Sequence, residues 1–256
     1  MRLLVSVFND SEARAALDGG ADIVDAKDPR SGALGAVSLD MFRRIRASVG
    51  NAVPVSAALG DAADEAAIEA MAREFTIAGA AFVKIGLAGI SDSARARSLL
   101  AAAVRVAPTK VVAVTYADRQ GELSFARLLG IGSTVGAIGI LIDTCEKNGP
   151  GLRQLVDTAT LSAWTSAARG AGLIVAGAGK LTIDDLDWVR DCGADIAGVR
   201  GAACEGGRDG HVSADRVRML RGRCGGPQPR SATFNASTRS AGTMHEVTPS
   251  GTARAK

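Results

Sequence analysis

Lysine is scarce in this chain, and two lysines stand near the ends of predicted strands. Six of the 30 basic residues are lysines and the rest are arginines, which do not lose their proton in practice. Where a chain takes most of its positive charge from arginine, lysines at a few defined positions indicate a need for an amine that can lose its proton there. Lys27 and Lys84 occupy such points, and a neutral amine there can attack a carbonyl carbon and form a Schiff base.

Two carboxylates share these strand ends. The alternation of side chains along a strand places Asp25 and Lys27 on one face. The isoleucines at 138, 140 and 142 form the outer face of another predicted strand, which leaves Asp143 on its inner face, at the end. A strand-end lysine also occurs as half of a structural ion pair. Two amines and two carboxylates around one opening favour a catalytic use.

A third group of candidates follows the predicted strand at 110–115. Tyr116 is the only tyrosine, and Asp118 comes two residues later at the same edge. Both are candidates to hydrogen-bond a substrate, although a packing role is equally compatible with the position of Tyr116. His211 and His245 lie in a loop and in the tail, so no histidine base is expected at the strand ends.

The last two predicted strands end in glycine-containing turns, GAGK at 177–180 and GVRGA at 198–202. In (β/α)8 barrels, backbone amides after strands seven and eight commonly bind phosphate, and glycine allows a close approach. The glycine-rich run at 206–211 either covers this site or forms a plain turn. The predicted phosphate ligands are Gly177, Ala178, Gly179, Gly198, Arg200 and Gly201.

Short β-branched or alanine-rich runs alternate with amphipathic stretches along residues 1–224. The predicted strands are 3–7, 22–26, 53–57, 81–85, 110–115, 137–142, 173–176 and 195–199. The predicted helices are 10–18, 38–47, 63–78, 92–105, 122–129, 157–171, 182–191 and 213–222. Ser38, Thr182 and Ser213 stand where helix N-caps are expected.

This alternation predicts an α/β fold, a single lean TIM (β/α)8 barrel over residues 1–224. Eight units in that length leave 28 residues for each, which is short for such a barrel. A doubly wound open sheet usually carries a glycine-rich phosphate turn after its first strand, and here the first strand is followed by Phe8, Asn9 and Asp10. Residues 225–256, rich in Gly, Pro, Ser and Arg, are predicted to form a disordered tail.

Charge and composition exclude several classes of protein. Residues 1–224 hold 26 basic and 26 acidic side chains, and the tail carries the whole net charge of +3, so nucleic-acid binding by the barrel is disfavoured. No apolar run is long enough to span a membrane. The four cysteines are scattered, with neither disulfide nor metal-ligand spacing, which predicts free thiols, no metal site and a cytoplasmic location.

Several motifs taken together resemble the (5-formylfuran-3-yl)methyl phosphate synthase family. The resemblance covers residues 1–224. The motifs are LVS at 4–6, GGADIVDAKDP at 19–29, GALGA at 32–36, VKIGL at 83–87, DT at 143–144 followed by Lys147, and VRGAAC at 199–204.

The resemblance implies the condensation of two molecules of glyceraldehyde 3-phosphate, with loss of phosphate and water, for the biosynthesis of methanofuran-type cofactors. It implies that Lys27 forms the Schiff base and that Lys84 accepts protons. Asp25, Asp143 and Lys147 then orient the substrate and match its charge. No cofactor is implied, because the imine itself acts as the electron sink.

Two alternatives use the same residues. Another class I aldolase of sugar phosphates would also form a lysine imine, and a non-catalytic barrel that binds a phosphorylated metabolite would form none. The expected partner is a triose phosphate, without nucleic acid or membrane, and the lean barrel favours a homo-oligomer.

Overall fold

The computed structural model describes residues 1–119, 122–146 and 148–225. Within these ranges eight parallel strands form a closed barrel in sequential order, and β1 pairs with β8 to complete the ring. The strands are β1 (Arg2–Val7), β2 (Ile23–Ala26), β3 (Val55–Asp61), β4 (Val83–Gly86), β5 (Val111–Tyr116), β6 (Gly139–Asp143), β7 (Ile174–Gly177) and β8 (Ile196–Val199). The prediction of a (β/α)8 barrel is confirmed. The tail predicted at 225–256 lies outside the described residues, except for Gly225.

Helices surround the barrel on its outside. They are α1 (Asp10–Asp18), α2 (Leu39–Val49), α3 (Glu65–Ile77), α4 (Ser93–Val106), α5 (Phe125–Val135), α6 (Leu152–Leu155), α7 (Thr158–Gly170), α8 (Asp185–Asp191) and α9 (Ala214–Arg223). Among these helices, none combines the length and the apolar character needed to cross a membrane. Between β8 and α9 lies a small antiparallel hairpin, β9 (Cys204–Glu205) and β10 (His211–Val212).

The helix boundaries follow local capping chemistry. Ser38 accepts a hydrogen bond from the Met41 amide and caps α2, as predicted. The Asp185 carboxylate accepts both the amide and the hydroxyl of Thr182, so this pair closes the turn before α8, which begins later than predicted. Helix α5 begins and ends later than its predicted range, 122–129, and Gly136, whose φ is +87°, caps its carboxyl end.

The side chains of the strands form two apolar layers. Val5 and Ile140 belong to the outer layer, against the helices, whereas Leu4 and Leu141 pack inside the barrel. Ile138 was expected on the outer face but contacts the inner layer, because it precedes the first residue of β6 and lies at the amino end of the barrel. The alternation within β6 itself places Asp143 inward.

Candidate active site

A buried ion pair joins β2 and β4 inside the barrel. Asp25 is fully buried, and Lys84 is only 3% exposed. The Lys84 Nζ lies 2.5 Å from Asp25 Oδ2, which also accepts a hydrogen bond from Ser6 Oγ at 2.9 Å. Ser56 Oγ donates to the other oxygen, Oδ1, at 2.7 Å. These donors from three strands compensate the carboxylate for the loss of water and fix the position of the Lys84 ammonium.

Lys27 lies two residues beyond Asp25, on the same inward face. Its backbone amide donates to the Val7 carbonyl at 2.9 Å, which continues the pairing of β2 with β1. Its side chain is buried and lines the same cavity as Lys84 and Asp143. The structure therefore brings together the two lysines and the two carboxylates that strand alternation predicted at one end of the barrel.

The carboxyl end of β6 supplies the second carboxylate. Asp143 is buried, and its Oδ1 accepts a hydrogen bond from the Thr144 amide at 2.7 Å. Gly179, in the loop after β7, has a φ of +98°, and a Cβ there would lie 2.8 Å from Thr144 Cγ2. Glycine at 179 thus allows the loops after β6 and β7 to meet beside Asp143. Lys147, the other predicted residue of this loop, lies outside the described residues.

A cavity of ≈ 520 Å³ opens between these loops and extends into the barrel. It is lined by small residues on the three strands β6 to β8, namely Gly139, Ala176 and Gly198, and part of α9 lines it as well. Its outer part is lined by the charged groups of Lys27, Lys84 and Asp143, and its inner part by apolar side chains of the inner layer. Small-molecule sites typically have a volume of this size and combine a mostly apolar lining with a few polar groups that point toward the ligand.

The turns after β7 and β8 form one rim of the cavity. Of the predicted phosphate ligands, Gly177 instead faces α8, since a Cβ there would lie 3.2 Å from Val189 Cγ1. In the described part of the chain, the backbone amides of Gly179 and Lys180 have no backbone acceptor. Such amides can bind an anion. The predicted ligands that line the cavity are Ala178, Gly179, Gly198, Arg200 and Gly201.

Arg200 is held by protein acceptors at the cavity wall. It forms a two-point ion pair with Glu12, in which Nη1 contacts Oε2 and Nη2 lies 3.0 Å from Oε1. Its remaining N–H groups donate to the carbonyls of Ser6, Arg208 and Gly210 at 3.0–3.1 Å. Because a guanidinium has five N–H donors, this set accounts for all of them. The structure places Arg200 as a link between β1, α1 and the hairpin.

Tyr116 and Asp118 form hydrogen bonds to the end of β3 and to the loop after β6, respectively, and neither is among the residues that line the cavity. The Tyr116 hydroxyl donates to Asp61 Oδ1 at 2.8 Å, and a Cβ on Gly86 would lie 1.9 Å from the same oxygen. Burial, and then the Asp61 charge, raise the pKa of Tyr116 well above its ordinary value. The Asp118 carboxylate accepts the amides of Cys145 and Glu146 at 2.8 and 2.7 Å, which ties the loop after β5 to the loop after β6.

Two of the four thiols, Cys204 and Cys224, are unsuited to replace the lysines as nucleophiles. All four cysteines are free, and burial raises the pKa of Cys204 and of Cys224 to about 11. At neutral pH these two therefore remain thiols, which are poor nucleophiles. No group of three or more His, Cys, Asp or Glu side chains within the described ranges is arranged to hold a metal ion.

Sequence reasoning missed two groups at this site. Ser6 reaches Asp25 across the β1–β2 pairing, and its inward position follows from the same alternation that placed Asp25. Arg208 lines the cavity from the hairpin, and its Nη2 donates to the carbonyls of Pro29 and Gly32 at 2.8 and 2.9 Å. The only signal for it was the glycine-rich run at 206–211.

The solved structures that resemble this fold include enzymes that act on phosphorylated sugars or nucleotides. A 3-hexulose-6-phosphate synthase aligns over 88% of this chain and 100% of its own, with a TM-score of 0.59 and 21% identity. The orotidine 5'-phosphate decarboxylase of Pyrococcus horikoshii aligns over 87% of this chain and 98% of its own, with a TM-score of 0.62 and 16% identity. At these identities the likeness establishes the barrel fold alone.

Sequence relatives give a closer relationship. The (5-formylfuran-3-yl)methyl phosphate synthase of Methanosarcina mazei is 35% identical over 232 residues, which cover 88% of this chain and 99% of the relative. The protein of the same name from Methanothermobacter thermautotrophicus is 36% identical, over 86% of this chain and 98% of its own. A family model described as 4-HFC-P synthase matches residues 3–221. The chain therefore belongs to the 4-HFC-P synthase family of enzymes.

Proposed function

We propose that this enzyme condenses two molecules of glyceraldehyde 3-phosphate through a Schiff base on Lys27. The product is (5-formylfuran-3-yl)methyl phosphate, formed with loss of phosphate and water, for the biosynthesis of methanofuran-type cofactors. The observation that carries the proposal is the pair of buried lysines, with Asp25 and Asp143, at the charged end of one cavity. The names of the relatives supply the product.

In the first step, the neutral Lys27 amine attacks the aldehyde carbon of one triose phosphate, and water leaves to give the imine. The imine withdraws electrons from the neighbouring carbon, so a C–H bond there loses its proton and an enamine forms. The enamine expels phosphate from the next carbon, C3, and the enol that remains is nucleophilic at C3. This carbon attacks the C2 carbonyl of the second triose phosphate, which has isomerised to its ketone by transfer of a proton from C2 to C1. The C1 hydroxyl of the second triose closes the ring on the C2 carbonyl of the first, two waters leave to give the furan, and water releases the product from Lys27.

Proton transfer falls to Lys84 in this scheme. Its Nζ lies 2.5 Å from the Asp25 carboxylate, which holds the ammonium in place inside the cavity. An amine beside a fixed carboxylate can release a proton to one intermediate and accept it back from another. Ser6 and Ser56 keep the carboxylate from turning as the Lys84 charge changes. In this scheme Asp143, at the carboxyl end of β6, hydrogen-bonds a substrate hydroxyl or pairs with an ammonium.

Trapping with borohydride tests this function. The purified enzyme is reduced in the presence of glyceraldehyde 3-phosphate, and its peptides are analysed by mass spectrometry. We expect an adduct on Lys27, no adduct in Lys27→Ala, and an unchanged adduct in Lys110→Ala. Lys110 is a suitable control because its Nζ donates to the Ala80 carbonyl at the amino end of the barrel, away from the cavity.

The outcomes separate the alternatives. An adduct on Lys84 in place of Lys27 would reverse the two roles. An adduct on Lys27 without a furan product, as judged by ultraviolet absorbance and mass, would indicate another class I aldolase of sugar phosphates. Binding of glyceraldehyde 3-phosphate without any adduct would indicate a non-catalytic binding protein.

A further inference from the structure

The loop between β9 and β10 has a conformation that glycine fixes. Gly206 and Gly207 have φ values of +81° and +76°, and a Cβ on Gly210 would lie 1.7 Å from the Glu205 carbonyl oxygen. These three glycines surround Arg208, in a short helical turn. Larger residues at those positions would strain the backbone, so the loop presents Arg208 in one position.

Arg208 is anchored at both ends. Its carbonyl oxygen accepts a hydrogen bond from Arg200 Nε at 3.1 Å, and Arg200 is itself paired with Glu12. At the other end, Arg208 Nη2 donates to the carbonyls of Pro29 and Gly32. Both carbonyls belong to the loop that follows Lys27, so Arg208 runs along the rim of the cavity from the β8 side to the β2 side, past the end of β1.

The charge of Arg208 is only partly compensated. The side chain lines the cavity and is half-buried. Burial lowers the pKa of its guanidinium, whereas the negative charges of Asp143 and Asp209 raise it. Neither carboxylate forms an ion pair with it within the residues that the structure describes, and its Nε and Nη1 have no acceptor there. A half-buried guanidinium with donors left over is well suited to bind an anionic oxygen pair.

We propose that Arg208, held in position by the carbonyls of Pro29 and Gly32, binds the phosphate group of the substrate at the rim of the cavity. This proposal deepens the proposed function, since the phosphorylated aldehyde is the substrate named there. It also assigns the anionic contact to a residue other than Arg200, whose donors are all used by the protein.

The test compares a phosphorylated aldehyde with its unphosphorylated analogue. Borohydride trapping on Lys27 is measured against the concentration of glyceraldehyde 3-phosphate and of glyceraldehyde, in wild type and in Arg208→Met. We expect the half-saturating concentration of the phosphorylated aldehyde to rise about 10- to 100-fold in the variant, since a hydrogen bond to a charged group is lost. For glyceraldehyde we expect less than about a twofold change. Arg218→Met, which removes an exposed arginine of α9, serves as the matched control.

A purely structural role for Arg208 predicts another result. If the residue only tethers the loop, Arg208→Met impairs trapping of both aldehydes equally, and that outcome would overturn the proposal. If wild type traps neither aldehyde, the proposed function fails, and binding of inorganic phosphate by calorimetry decides the inference alone. Weaker phosphate binding by Arg208→Met than by Arg218→Met supports it, and equal binding by the two variants rejects it.

Discussion

At the scale of single residues, Asp25 organises the site. Its two oxygens accept hydrogen bonds from the hydroxyls of Ser6 and Ser56, on the neighbouring strands β1 and β3, and from Lys84 on β4. A buried charge with incomplete partners costs several kcal/mol, whereas one with good geometry on every side is tolerated. The Lys84 amine is therefore fixed by the barrel itself, which suits a group that must meet a substrate in one orientation.

Tyr116 gives a prediction at the same scale. It is the only tyrosine, and its pKa is raised above the ordinary value of 10.0, first by burial and then by Asp61. Above that ordinary value the unfolded chain loses the proton while the folded protein keeps it. The stabilising contribution is thus complete below about pH 10 and falls as the pH rises further. We expect no tyrosinate absorbance from the native protein at about pH 11, and its sudden appearance on unfolding.

The control for this titration is Tyr116→Phe. Circular dichroism should show that this variant still unfolds in one transition, and its free energy of unfolding should fall less above about pH 10 than that of wild type. Asp61→Asn should lower the pH at which tyrosinate first appears, because the neighbouring negative charge is gone. Smooth ionisation near pH 10 in a protein that remains folded would show that the hydroxyl is reached by solvent.

At this scale strand alternation predicted the positions of side chains within a strand, although not that of Ile138, which precedes β6. Asp25, Lys27 and Asp143 line or support one cavity because each lies at an inward position near a strand end. Alternation cannot reveal partners that meet only after the loops have folded. The hairpin supplies carbonyls that accept hydrogen bonds from Arg200, and it positions Arg208 at the rim of the cavity. No periodic pattern in the sequence predicts the path of this hairpin.

At the scale of elements, the Glu12–Arg200 pair holds α1 to the end of β8. Both side chains are buried, and Glu12 Oε2 also accepts the Phe8 amide at 2.7 Å. Glu12→Gln leaves the Arg200 charge buried without its counter-charge. We expect a loss of about 3–5 kcal/mol in the free energy of unfolding, measured in urea. In Glu12→Gln, the amide hydrogens of the hairpin at 204–212 should also exchange faster than in wild type, and this increase should exceed that for the amides of β3 to β5.

Glu69→Gln is the matched control, since Glu69 pairs with Arg73 and Arg105 on the surface of α3 and α4. Exposed pairs of this kind contribute under about 1 kcal/mol. Equal losses in the two variants would mean that the Glu12 pair contributes no more than a surface pair. A loss of free energy of unfolding in Glu12→Gln without faster exchange in the hairpin would show that the pair stabilises the junction of β1, α1 and β8 and does not hold the hairpin.

At the scale of the whole molecule, the barrel closes within residues 1–225. β1 pairs with β8, and the amino-terminal ammonium donates to the Cys224 carbonyl at 3.3 Å. Helix α9 buries Val217 and Leu220 beside this seam. The contacts that close the ring therefore lie upstream of residue 226, while residues 226–256 carry the entire net charge of +3.

Removing residues 226–256 tests this division of the chain. We expect a protein ending at Gly225 to unfold with a free energy within about 1 kcal/mol of the full chain, because the composition of residues 226–256 predicts few packed contacts. Trapping on Lys27 should be unchanged, and the shortened protein, with no net charge, should elute earlier from a cation-exchange column. A loss of several kcal/mol would mean that the tail packs against the barrel and belongs to the folded domain. A loss of trapping at unchanged stability would instead place part of the tail at the mouth of the cavity.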